Sequence, residues 1–333
     1  MDIIAEIGQA HEGSLGIAHS YIDALALTGV TAVKFQTHIA EAESSEFEDF
    51  RVKFSYEDKT RFDYWKRMEF TTEQWAGLKK HCEDKNLEFI SSPFSNKAVD
   101  LLEKIGVQRY KIGSGEVSNY LMLEKIIKTG KPILLSSGMS SYDELDKTVA
   151  FINNKGNNLS IFQCTTSYPS ISGEWGLNLI PSFINKYNVP IGFSDHSGDI
   201  YACLAATTLG ASLLEFHVVF DKQMFGPDAN SSLTISEIKK LTNGVIQISN
   251  DLKSNSNFKR DNSKFADLKT IFEKSLAVNK DLKSGNIITF DDLEAKKPST
   301  MGITAKEFES IVGRKLKTDL NKWDFIQKNN LQD

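Results

Sequence analysis

The first two thirds of the chain repeat one pattern: a short apolar, β-rich run, then a stretch with helical spacing. The runs lie at residues 3–8, 32–37, 88–93, 109–114, 132–138, 159–166, 190–196 and 212–219. Between them, residues 17–27, 72–85, 96–105, 121–129, 141–153 and 200–209 carry apolar side chains at i, i+3 and i+4, the mark of an amphipathic helix. Gly29, Gly106, Gly130, Gly156 and Gly210 follow these stretches, where a helix C-cap needs positive φ. Eight strand–helix units in about 250 residues predict an α/β fold, a closed parallel (β/α)8 barrel. A doubly wound open sheet is the alternative from the same pattern.

At 333 residues the chain has room for such a barrel and an appendage. The spacing assigns residues 1–252 to the barrel. Residues 253–268 begin Lys253-Ser-Asn-Ser-Asn-Phe-Lys-Arg-Asp-Asn-Ser263, a linker by composition. Residues 269–333 form a small domain with strand-like pieces at 275–278 and 287–289 and a turn at 283–286, too small for much of a core. One insertion, residues 40–70, breaks the rhythm. It is acidic, then aromatic and basic, with Phe47, Phe50, Phe54, Tyr56, Phe62, Tyr64 and Trp65. A loop this long on a catalytic rim is a lid or functional loop, or else it packs on a partner subunit.

Composition excludes some classes. A net charge of −5 makes no case for nucleic acid or an anionic membrane. No run approaches about 18 apolar residues, so no membrane span is expected. Met1-Asp-Ile-Ile-Ala-Glu6 lacks the basic start of a signal peptide. Cys82, Cys164 and Cys203 form no Cys-x-x-Cys pair and read as reduced thiols of a cytoplasmic protein.

A parallel barrel carries its active site at the C-terminal ends of its strands. The last two runs end in histidine, Ile191-Gly-Phe-Ser-Asp-His196 and Leu213-Leu-Glu-Phe-His217. Two imidazoles on one rim are half of a divalent-metal site; the plain alternative is two core or capping histidines. The other strand ends supply Glu6, Gln9, Lys34, Gln36, His38, Lys111, Ser114, Glu116, Ser136, Thr165, Thr166 and Tyr168, and the last two add Asp195 and Glu215. Lys34 and Gln36 share a strand face, as do Glu215 and His217. Singly, each has a plain role: serine as turn former, lysine as solvated tip, glutamate as helix cap. Lys34 and Lys111 fall inside apolar runs, however, and an unpaired buried ammonium is costly. Two inward lysines with hydroxyls and glycine-rich backbone describe a site for phosphate and carboxylate.

The chain resembles the sialic acid (nonulosonic acid) synthase family, NeuB-like. The matching stretches are Ala5-Glu-Ile-Gly-Gln-Ala-His-Glu-Gly13, Val33-Lys-Phe-Gln-Thr37, Tyr110-Lys-Ile-Gly-Ser-Gly-Glu116, Leu135-Ser-Ser-Gly-Met139, Cys164-Thr-Thr-Ser-Tyr-Pro169, Gly192-Phe-Ser-Asp-His196, Glu215-Phe-His217 and Phe225-Gly-Pro-Asp228. The tail, Ser275-Leu-Ala-Val-Asn-Lys-Asp-Leu-Lys-Ser-Gly285 with Lys296-Lys-Pro298, resembles the family's antifreeze-like (SAF) domain. The resemblance implies condensation of phosphoenolpyruvate with an N-acetylmannosamine-type or related hexose, giving a nine-carbon 2-keto acid and phosphate. It implies a divalent cation, Mn²⁺ with Mg²⁺ or Co²⁺ as alternatives, on His196 and His217. Lys34, Lys111, Ser114, Ser136 and Ser194 would hold phosphoenolpyruvate. Glu6, Asp228 and Glu116 would be catalytic carboxylates. Gln36, Thr166, Tyr168 and Lys297 would meet the sugar. A domain-swapped homodimer follows from the same resemblance.

Two positions depart from the family pattern. Thr166 stands where the family has asparagine, and Lys297 where it has arginine. Lysine cannot reproduce a bidentate guanidinium contact, so a modified hexose is expected as acceptor. The rival enzyme is another phosphoenolpyruvate-dependent aldol-type synthase using an aldose or aldose phosphate; the rival outside enzymes is an inactive carbohydrate-binding homologue.

Overall fold

Eight strands pair in chain order, each parallel to its neighbours: β1 (Asp2–Gly8), β2 (Ala32–Thr37), β3 (Glu88–Pro93), β4 (Tyr110–Ile112), β5 (Ile133–Ser136), β6 (Leu159–Cys164), β7 (Ile191–Asp195) and β8 (Leu213–Val219). Pairing of β1 with β8 closes the barrel, as the strand–helix rhythm predicts. A short β9 (Ser232–Thr234) adds to β8. This is a computed structural model that describes residues 1–332.

Strand ends differ from the sequence pattern where local chemistry intervenes. β4 stops at Ile112 because Ser114–Glu116 turn into a 3-10 helix. The first helix begins at Leu15, since Ser14 Oγ accepts from the amide of Ile17 and caps it. The helix Asn96–Ile105 ends on Gly106, whose φ of 79° is the left-handed cap.

The barrel interior is layered. Ile4, Ala32, Ile90, Leu134, Phe162 and Leu213 form a closed apolar cluster. Strand side chains alternate, so the next inward residues, two positions on, are Glu6, Lys34, Ser92, Ser136, Cys164 and Glu215. An apolar layer thus supports a polar one. Gly192 makes the lower layer possible: a Cβ there would meet Phe162 Cδ1 at 2.7 Å. The outward faces of the strands, with Ile3, Ala5, Val33 and Phe35 among them, pack under the helices.

The insertion is ordered around its own small core of Ala40, Tyr64, Trp65 and Met68, flanked by Phe50, Phe54 and Phe62. Its helix Arg61–Met68 starts on a capping box between Thr60 and Asp63. Arg67 ties it down, donating to Asp58 Oδ2 and Glu12 Oε2 at 2.8 Å each.

The chain divides into two compact units, Met1–Ser254 and a second beginning at Asn255. In the second, β10 (Ser275–Val278) pairs antiparallel with β11 (Leu293–Lys296). The expected strand at 287–289 is not one: Ile287 makes only an isolated bridge to Lys315, because Thr289 caps the 3-10 turn Phe290–Asp292. A core of its own, with Leu276, Val278, Ile288, Leu316 and Ile326, holds this unit together. Among the described residues, no helix is long and apolar enough to cross a membrane.

Candidate active site

A cavity of about 260 Å³ opens at the C-terminal ends of the strands. Strand register builds its floor. Glu6 of β1 sits beside Lys34 of β2 and beside His217 of β8; Ser194 of β7 sits between Cys164 of β6 and Glu215 of β8. Lys34 Nζ lies 2.5 Å from Glu6 Oε1 and 3.7 Å from Glu215 Oε1. Lys111 Nζ donates to Glu215 Oε1 at 2.6 Å and lies 4.8 Å from the centre of the Phe162 ring. Ser194 Oγ donates to the same Glu215 oxygen at 3.2 Å. The lysines are only 3% and 2% exposed, and two carboxylates match two ammoniums, the condition for burying charge. Glu215, visible in the sequence only as a neighbour of His217, is the hub.

Burial alone would raise the pKa of Glu6, but Lys34, His217 and Lys111 outweigh it and hold the carboxyl well below its usual range. Burial would lower that of Lys34, but Glu215 and Glu6 more than reverse this and raise it. Each charge therefore maintains the other. The hydroxyls of Ser114, Ser136, Thr166 and Ser194 complete the floor and near wall. A Cβ on Gly138 would collide with Ser114 Oγ and Thr166 Oγ1, so bare backbone lets these two groups converge.

The rings of His196 and His217 lie 5.4 Å apart, centre to centre. Tyr168 lies 4.1 Å from His196 and 6.0 Å from His217. His196 Nδ1 donates to the carbonyl of Thr165 at 2.9 Å; a carbonyl only accepts, so in the neutral ring Nε2 carries the lone pair. Burial of this imidazole is outweighed by Cys164, the Thr165 carbonyl and Glu6, which push its pKa up to about 9. His217 Nε2 is 3.3 Å from Glu6 Oε2, and burial holds this imidazole below its usual pKa against the pull of Glu6. Neutral imidazole is the metal-binding form. Among the described residues, no group of three or more His, Cys, Asp or Glu side chains is arranged to hold a metal ion. Two imidazoles alone do not make a closed structural site; they can carry a cation only with water or substrate oxygen completing its shell.

On the far wall, Gln36 Nε2 donates to Glu6 Oε1 at 2.7 Å. Arg51, from the insertion, lies 4.3 Å over the Tyr168 ring and donates from Nη2 to Asp228 Oδ1 at 3.0 Å. Burial, with Cys164, Glu6 and Asp228 nearby, keeps the Tyr168 phenol far above its usual pKa and hence protonated.

Glu6, Lys34, Gln36, Lys111, Ser114, Ser136, Thr166, Tyr168, Ser194, His196, His217 and Asp228 all line this one cavity. Among the carboxylates, Glu6, Glu215 and Asp228 face it, and Glu116, expected with them, does not. Asn119 Nδ2 donates to Glu116 Oε2 at 2.6 Å, and this local bond turns the carboxylate toward the start of the next helix. Lys297 belongs to the second unit, where its Nζ lies 4.7 Å over the Phe272 ring. Arg51, Arg61, Tyr64, Trp65 and Phe94 also line the cavity and were not singled out from strand ends. The aromatic and basic composition of residues 40–70 was the signal for the first four; Phe94 directly follows β3.

The model of the NeuB family matches residues 21–257, and that of the SAF domain matches residues 273–332. The chain is 33% identical to the N,N'-diacetyllegionaminic acid synthase of Campylobacter jejuni, covering 94% of each protein. It is 29% identical to the N-acetylneuraminate-9-phosphate synthase of Homo sapiens, over 98% of this chain and 91% of that one. Among solved structures it is similar to the N-acetylneuraminic acid (sialic acid) synthetase of Leptospira borgpetersenii in complex with citrate, with a TM-score of 0.70 and 29% identity over 80% of this chain and 92% of that one.

Proposed function

The chain belongs to the NeuB family, whose members include legionaminic, pseudaminic and neuraminic acid synthases, and on that footing we propose that it condenses phosphoenolpyruvate with an acylamino-hexose. The products are a nine-carbon 2-keto sugar acid and phosphate. One observation carries this proposal: two buried lysines and converging hydroxyls form the floor of a cavity that also holds two facing imidazoles.

Lys34, Lys111, Ser114, Ser136 and Ser194 hold the phosphate and carboxylate of phosphoenolpyruvate. Gln36, Thr166 and Tyr168 orient the sugar, and Arg51 fixes Asp228. C3 of the enol attacks the aldehyde carbon, water adds at C2, and phosphate leaves as its bond to C2 breaks. Of Glu6 and Asp228, one accepts a proton from the attacking water and the other faces the sugar, and the aldehyde oxygen takes up a proton as it becomes the new hydroxyl. His196 and His217 would hold a divalent cation, Mn²⁺ by family resemblance, which supplies Lewis acidity toward a carbonyl oxygen. We assign the protein to the cytoplasm from its reduced-cysteine pattern, and infer a homodimer from the family resemblance.

The test is phosphate release from phosphoenolpyruvate, with product mass as a second readout. Release should require both an acylamino-hexose and a divalent cation, and stop on chelation. Release without sugar, or none with any acylamino-hexose, refutes the proposal.

A further inference from the structure

We propose that Arg61 and the aromatic wall around it form a subsite for an acyl substituent of the acceptor sugar, distinct from the groups that hold phosphoenolpyruvate. The proposal rests on the function proposed above and names the sugar chemistry that function leaves open. Arg61 opens the helix Arg61–Met68 and lines the cavity with Tyr64, Trp65 and Phe94. Its guanidinium lies 4.2 Å over the Trp65 ring and 5.6 Å from that of Tyr64. Stacking of this kind fixes the guanidinium plane and leaves its edge donors free to point at a ligand.

Those donors are unspent. Among the described residues none accepts a hydrogen bond from Arg61; the nearest carboxylate, Glu48 Oε1, is 3.4 Å from Nε as an ion pair, and Nε is enclosed without a hydrogen-bond partner. The other two arginines of the insertion differ: Arg51 is committed to Asp228, and Arg67 to Asp58 and Glu12. A preset guanidinium with free donors on a cavity wall is a recognition element for an oxygen acceptor.

The surroundings choose the acceptor. Glu48 offsets the charge of Arg61 and also takes the indole N–H of Trp65 at 3.1 Å. Buried Tyr64 and Trp65 back the guanidinium, with His38 stacked on Trp65 and Phe94, and the Phe94 ring gives the apolar lining. A dianionic phosphate would meet one partly neutralised cation there, next to a carboxylate and aromatic rings, an unfavourable place to desolvate it. An N-acyl group fits both halves: its carbonyl oxygen accepts from Arg61, and its methyl packs on the Phe94 ring.

The test compares wild type with R61M and R61K, using phosphoenolpyruvate, Mn²⁺ and four acceptors: a 2-acetamido-hexose, its 2,4-diacetamido derivative, the 2-acetamido-4-amino counterpart, and the 6-phosphorylated 2-acetamido-hexose. Wild type should prefer the diacetamido over the 4-amino sugar. R61M should lower kcat/KM for the diacetamido sugar about 10- to 100-fold, the range for a hydrogen bond to a charged group, chiefly through KM. The loss should be smaller for the 4-amino sugar, which offers one acyl group fewer; R61K, which retains charge and packing, should fall between. Circular dichroism and Tm of each variant monitor folding, and R61K carries the comparison if R61M is unstable. An unchanged acceptor ratio in the variants overturns the subsite, as does a wild-type preference for the phosphorylated sugar that R61M abolishes. Wild type that turns over none of the four overturns the parent function as well, so the two failures are distinguishable.

Discussion

Replacing Glu215 by leucine isolates the energetics of the cavity floor. Lys111 is 2% exposed, and its carboxylate contact is Glu215 at 2.6 Å. Lys34 keeps Glu6 at 2.5 Å when Glu215 is removed; Lys111 keeps the Phe162 ring at 4.8 Å and the more distant charge of Glu6. Removing one partner of a buried pair leaves an uncompensated charge and costs about 3–5 kcal/mol. For a unit of this size each kcal/mol is worth about 2–4 °C, so E215L should lower Tm by roughly 6–20 °C. The double variant K111M/E215L removes both charges and fills the space with apolar side chains. Besides the deleted pair it loses the bond from Ser194 Oγ, worth about 1 kcal/mol, and the 3.7 Å approach of Lys34 to Glu215, and it should recover most of the stability while abolishing activity. Urea unfolding and calorimetry of the four proteins, without phosphoenolpyruvate, give the coupling energy directly. An E215L variant within about 1 kcal/mol of wild type, or a double variant as unstable as the sum of K111M and E215L, would show that Lys111 is not paired as described.

Other predictions address separate features. G138A forces a Cβ onto Ser114 Oγ and Thr166 Oγ1; the KM for phosphoenolpyruvate should rise at least about tenfold with Tm changed by only a few degrees, and unaltered steady-state kinetics would refute the convergence of those hydroxyls. H217A and H196A should each weaken Mn²⁺ binding, followed by calorimetric titration, by at least about 100-fold; undiminished binding removes the imidazoles from the metal site. His11 is buried and held to a pKa of about 3, by burial first and then by His38 and Arg67. Its unfolded value is near 6.5, so the unfolded chain takes up the proton first as pH falls. The neutral side chain's contribution is present above pH 6.5 and is lost progressively toward pH 3, by up to about 1.4 kcal/mol per unit. H11N keeps an acceptor for the amide of Gly13, now on Nδ1 at 3.1 Å, and should show a shallower decline in urea stability from pH 7 to 5; equal slopes would contradict the buried neutral state.

The barrel and the residues that gather in its candidate site were legible because strand chemistry is local. Apolar runs that turn polar at one end announce both a buried strand and a functional rim, and the period of two identifies which residues face inward. Lys34 and Lys111 stood out because their neighbours are apolar, which leaves a lysine no solvent. Local signals misled where a shorter-range bond competed: Glu116 ends a strand in the sequence, yet Asn119 three residues on captures its carboxylate. At 287–289 the β-rich composition found no partner strand, and Thr289 served as a cap instead.

By itself the amino-acid sequence determined the order of strands and helices, the inward-facing polar layer and the residues at its rim, since these follow from side-chain chemistry a few positions apart. Only the tertiary structure decided who pairs with whom. Lys111 meets Glu215 across 104 residues, and Arg51 meets Asp228 across 177, because barrel closure sets the register and the insertion packs over the rim. Electrostatic matching inside a low-dielectric cavity depends on distances of a few ångströms, and the fold, not the order of residues, supplies them.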